Sequence, residues 1–415
     1  MYIFLYLYLF TSTWNSAFSY SYFNIPNFAF LLYFLSSLLK PKKVLNKKVI
    51  FFLIFPFLFS ILYYFIFAII NNEYGQKVFN YAFVYATFPF LSCYLPLTFS
   101  LDKKRAQKIR SVFFGGLTFV AAILIFESII RNIFGIDITS FLPHSKENVK
   151  CTADYICRAR AFSSEPLNAG LGMSIGLNYS IISLKAKYAK INEISSVDLL
   201  KNIFLIIFFS WALICTGSSA SFAAFLGPLL ILGLISISNW LLRICRGKID
   251  IKGLRRFFIV VIFLTSAILI IQFFTPNGLE LFEDLLGKLT LNESYTSVRS
   301  RLDSFLQFRD AFLNDPLGIS GFVGSISGGI SSGMPEGTAI NWYMTLLGDA
   351  GIIGSLFTLL PLFLASKISY SSQGISGLKK IDKLILLLTP AFGLMFHGTF
   401  YTSQIWPLII VIYYL

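Results

Sequence analysis

The chain has 415 residues, 56% hydrophobic and only 13% charged, with a mean hydropathy of +0.73. Repeated apolar runs of about 17 to 25 residues exclude a soluble multidomain protein, since each run is long enough as a helix to cross the ~30 Å hydrocarbon layer. The formal charge of +14 is spread over short lysine and arginine clusters between those runs, not along one face or arm, which speaks against a nucleic-acid partner.

The expected fold is an all-α polytopic membrane protein, a single integral domain over 1–415. Its spans lie near 2–18, 23–39, 49–70, 78–99, 111–130, 167–184, 202–216, 218–240, 257–274, 339–365, 382–396 and 401–415, about twelve transmembrane helices. The start, Met1-Tyr2-Ile3-Phe4-Leu5, has no basic region or small-residue cleavage site and is read as a retained span. Five basic clusters test the count: Lys40 to Lys48, Lys103 to Arg110, Lys185 to Lys201, Arg243 to Arg256 and Lys367 to Lys383. They hold 24 of the 34 basic residues, and twelve spans put all of them on one side. Both termini are then cytoplasmic. The tightest connection is Thr216-Gly217-Ser218-Ser219, and reading it as a kink in one span would move the later clusters across the membrane.

Two connections on the other side are long, and function is expected there. The first external loop, 131–166, carries Arg158, Arg160 and Glu165. If its end is extended, Arg158 and Arg160 point the same way, as a fork suited either to a diphosphate or to generic lipid headgroups. Glu165 precedes Pro166 at the start of a span. There it serves either as a carboxylate at a helix N-terminus or as a general base for a sugar hydroxyl. Within the preceding span, Glu127 and Arg131 stand four residues apart and are expected to pair on one helix face.

The second external loop, 275–338, contains a helical pattern over 296–313, with Leu302, Leu306, Arg309 and Leu313 on one stripe and Arg299 and Arg301 at its start. Arg309 either snorkels to headgroups or serves an anion site. The stretch 317–337, rich in glycine, reads as a flap, and Glu336 at its end is a second candidate base. Asp349, between Gly348 and Gly351, is an ionisable group inside a span. With His144 and His397 as the only histidines and no Asp-x-Asp pair, neither a metal nor a cofactor is expected. Cys151 and Cys157 are either a disulfide or two free thiols.

Four of these elements resemble, in order, motifs of the bacterial O-antigen polymerases and ligases. They are Arg158 to Pro166, similar to that family's Arg-x-x-Gly-x-Phe-x-x-Pro loop; Thr216-Gly217-Ser218-Ser219; Asp315-Pro316-Leu317-Gly318-Ile319-Ser320-Gly321; and Asn341-Trp342-Tyr343 followed by Gly351-Ile352-Ile353-Gly354. Ala161 stands where the family has glycine, and Ser219 where its turn often has arginine. Ala339-Ile340 replaces the histidine that ligases usually carry, which favours a polymerase.

The resemblance implies a metal-independent glycosyltransferase of the bacterial inner membrane. It would transfer a growing glycan from undecaprenyl diphosphate to an incoming lipid-linked repeat unit, for lipopolysaccharide or capsule. Arg158, Arg160, Arg299, Arg301, Arg309 and Asn341 would bind substrate, with Glu165 or Glu336 as the base. Membrane lipids and a chain-length regulator protein are the other partners implied. The alternatives are an O-antigen ligase acting on lipid A core and a lipid-linked oligosaccharide flippase. A flippase should show paired halves and ionisable groups near the midplane.

Overall fold

The computed structural model describes residues 2–14, 25–38, 103–136, 158–163, 166–188, 196–245, 342–371, 378–395 and 405–414. It also describes isolated positions in 58–66 and 306–317. Among them every regular element is helical. The helices are α1 (Tyr2–Phe10), α2 (Ile25–Leu38), α3 (Lys103–Phe134), α4 (Pro166–Tyr188), α5 (Ser196–Thr216), α6 (Ser219–Cys245), α7 (Trp342–Ser371), α8 (Lys380–Leu394) and α9 (Ile405–Tyr414). The spans expected at 78–99 and 257–274 lie outside the described residues, and of the span expected at 49–70 only Leu58, Leu62 and Ile66 are described, each helical and exposed.

The chain divides into two units, Met1–Phe225 with Ser304–Leu415, and Leu226–Asp303. The described part of the second unit is the rear of α6, a helix that carries Pro228 near its start and exposes Leu230, Ile231, Leu234 and Ile235.

Within the first unit, side-chain contacts relate the directions of α1, α3, α4, α5, α7 and α8. Arg105 Nη1 donates to Tyr2 Oη at 3.2 Å, and Trp14 stacks beside Phe119, so α1 and α3 run the same way. Phe114 stacks on Tyr179 with ring centroids 3.5 Å apart, turning α4 back along α3. Phe209 of α5 fills the space that a side chain at Gly176 would occupy, while Thr216 lies against Gly170. Such a close approach needs a position with no Cβ. Helix α8 is tied to α4 by Lys185 Nζ to Asp382 Oδ1 at 2.6 Å and by Asn178 Nδ2 to Thr389 Oγ1 at 2.9 Å. Tyr343 Oη donates to Ala391 O, which places the start of α7 at the end of α8.

These directions put Tyr2, Arg105, Lys185 and Asp382 at one end of the unit. Residues 13–14, 127–136, 158–163, 166–170, 215–218, 343 and 391–395 gather at the other. Helices Lys104–Phe134 and Val197–Thr216 are long and apolar enough to cross a membrane, and Ile25–Ser36 and Ala220–Ile235 are shorter apolar helices. Val197, Leu200, Phe204, Ile207, Trp211 and Ile214 form one exposed stripe along α5, spaced three and four residues apart. A stripe of that length is costly in water and at no disadvantage in lipid.

The sequence reading took 339–365 as one continuous span. Helix α7 instead breaks at Gly351 (φ 56°, ψ −165°), a backbone state essentially closed to residues with a Cβ. The break takes Ile352 N–H out of the helix ladder, and it donates to Pro316 O at 2.9 Å. At Thr216-Gly217-Ser218 the expected tight turn is present: α5 ends, Gly217 has φ +54°, and α6 begins at Ser219.

Candidate functional site

The first loop reaches the helices through Arg158 to Ser163, and the residue that receives it is Glu127. This is the sole carboxylate of α3, and it is fully buried. Its Oε2 accepts the backbone N–H of Ala161 at 2.7 Å and that of Arg160 at 3.1 Å, while Oε1 faces Arg131 Nη1 at 3.4 Å. Every one of these partners is a donor, so the acceptor-only carboxylate satisfies them together. Arg131 Nη1 also reaches Arg158 O at 3.5 Å.

Two consecutive N–H groups converge on one oxygen only if the residue whose torsions lie between them, here Arg160, leaves the extended conformation. Ala161 carries the turn on, with φ +49° in the left-handed region, and Ser163 N–H closes it on Arg160 O at 3.0 Å. The left-handed region favours glycine, the residue that the resembling family places here. Ser163 Oγ then donates to Thr13 O, and Phe162 packs on Trp14 with ring centroids 4.5 Å apart, so the end of α1 closes the far side.

On the near side the segment pairs with the turn between α5 and α6. Ala159 N–H donates to Cys215 O at 2.9 Å and Arg158 Nε to Thr216 O at 3.1 Å. The Arg158 side chain runs over Gly217, where an added Cβ would lie 3.1 Å from its Cγ. The two arginines do not form the expected fork: Arg158 is exposed and Arg160 is 3% exposed. The fork assumed an extended chain, and the amides of Arg160 and Ala161, both drawn onto Glu127 Oε2, take the backbone at Arg160 out of that conformation.

In the second loop, positions 306, 309, 310, 312 and 313 are helical, in line with the periodicity. Leu306 and Leu313 are exposed, and Arg309, half-exposed, pairs with its neighbour Asp310 at 2.8 Å. Glu165, Glu336, Arg299, Arg301, Asn341, Cys151 and Cys157 lie outside the described residues, as does the side chain of Asp349.

The Glu127–Arg131 pair expected from spacing is present, but the sequence reading did not anticipate that Glu127 also holds the first loop. Its signal was that of a lone carboxylate in an apolar helix, which marks a functional position by default. No protein-family model matches the chain, and no curated protein is similar to it.

Proposed function

We propose that the chain is a membrane glycosyltransferase that polymerises lipid-linked oligosaccharide repeat units of the O-antigen or capsule type. It would act in the bacterial inner membrane with about twelve spans, both termini cytoplasmic and the loops 131–166 and 275–338 periplasmic. The observation that carries the reading is how the four resembling sequence elements meet. The segment at Arg158 is bound to the Thr216-Gly217 turn, and Pro316 of the second loop is bound to Ile352 at the Gly351 break. The helix directions in the first unit also alternate as twelve spans require, with Arg105 and Lys185 at the end away from Arg158.

In this reading the acceptor sugar hydroxyl attacks the anomeric carbon of the growing glycan. The carbon–oxygen bond to undecaprenyl diphosphate breaks, and the proton passes to Glu165 or Glu336. Arg158, exposed and braced on Thr216 O, meets the diphosphate and offsets the charge that develops as it leaves. Arg299, Arg301 and Arg309 belong to the half of the site contributed by the second loop, and Asn341 to the start of the span that follows it. Arg160, being buried, supports the segment rather than the ligand.

Deletion of the gene, followed by inspection of surface and lipid-linked glycans, tests the reading. Single repeats on the core indicate a polymerase. Polymer retained on the carrier lipid indicates a ligase, and single units trapped on the cytoplasmic face indicate a flippase. Complementation with Arg158→Ala should give no long chains at normal protein level, and wild-type chain lengths would sink the assignment of Arg158.

A further inference from the structure

Glu127 takes no part in the chemistry just described, yet it is the most completely enclosed charge among the described residues. Burying a carboxylate is costly, and packing alone is served as well by an apolar side chain. What an apolar side chain cannot do is select a backbone direction. Glu127 Oε2 takes the N–H groups of two consecutive residues, at 3.1 and 2.7 Å, which commits the Arg160 backbone between them to a non-extended conformation, and the chain turns on through Ala161 at φ +49°. Arg131 neutralises the other oxygen and reaches the carbonyl of Arg158 itself. The segment therefore leaves the helices at one angle, with Arg158 exposed over Gly217 and its Nε spent on Thr216 O.

We propose that Glu127, with Arg131 as its counterion, is a positioning residue that presents Arg158 to the diphosphate of the lipid-linked substrate. The proposal rests on the functional reading above, in which Arg158 meets that diphosphate. Glu127 touches no substrate and acts through the Arg160 and Ala161 amides.

The two oxygens allow a rescue design. In Glu127→Gln the side-chain carbonyl still accepts both amides, but the new NH2 group faces Arg131, donor against donor. Adding Arg131→Met removes that conflict, whereas Glu127→Ala with Arg131→Met removes the acceptor altogether. Amide hydrogen exchange over 158–163, measured on the full chain in nanodiscs, should rise about tenfold in Glu127→Gln and in Glu127→Ala/Arg131→Met. It should return to within about threefold of wild type in Glu127→Gln/Arg131→Met. Long glycan chains in complemented cells should be lost and restored in the same order, at matched protein levels.

Unchanged exchange over 158–163 in Glu127→Ala/Arg131→Met overturns the proposal. So does raised exchange with normal chain lengths. Failure of the functional reading looks different: Arg158→Ala then keeps long chains although the exchange pattern of the Glu127 variants is as expected.

Discussion

Replacing Gly217 by alanine separates the stability of the turn from the placement of Arg158. The backbone there has φ +54°, which costs a residue with a Cβ roughly 1–2 kcal/mol. Alanine also stiffens the unfolded chain and returns about 0.4–1 kcal/mol, so the net loss is about 1 kcal/mol, a fall in Tm of about 2 °C or less for a chain this long. The functional effect should exceed that. The new Cβ would lie 3.1 Å from Arg158 Cγ, so the side chain must give by a few tenths of an ångström, which strains its bond to Thr216 O. A misplacement of about 1 Å can cost a factor of about 100 in rate, so a shift of a few tenths should cost several-fold, enough to shorten the glycan. Gly135→Ala is the matched control, because Gly135 has φ +66° and nothing within 4 Å of an added Cβ. Both variants should show similar Tm values in detergent, with glycan chains shortened in Gly217→Ala and of wild-type length in Gly135→Ala. Equal chain lengths in the two variants would refute the placement of Arg158 by the turn.

Two further substitutions test the local physics. Ala161→Gly should leave Tm within about 1 kcal/mol of wild type, because relief of left-handed strain is balanced by glycine's entropy and the lost methyl. Ala161→Val should cost roughly 2–3 kcal/mol, since a β-branched residue is poorly tolerated at φ +49°. Gly176→Ala would set a Cβ 2.5 to 2.8 Å from three Phe209 ring atoms. It should lower Tm by the equivalent of about 1–3 kcal/mol, and Phe209→Leu in the same chain should recover most of that loss.

The described helices were legible in the sequence because burial in lipid and in protein both demand long apolar runs. The ends of α2, α4 and α8 fall within a few residues of the expected spans. The break between α5 and α6 was legible too, because Thr216-Gly217-Ser218 carries the turn chemistry and the charge rule requires a reversal there. The break in α7 was not. Gly351 reads as one of several small residues in an apolar run, and only Pro316 O at Ile352 N–H shows where its backbone hydrogen bond has gone.

By itself, then, the sequence determined an all-helical chain, the segregation of its charge and the short list of segments that could carry chemistry, because hydropathy and charge act through composition and spacing. Which arginine is exposed was decided by tertiary structure alone. Arg158 and Arg160 differ in nothing the local sequence records. They part because Glu127, some thirty residues earlier on α3, holds the amides of Arg160 and Ala161 and so bends the chain at Arg160. A hydrogen bond between residues so far apart in the chain has no period and leaves no local pattern to read.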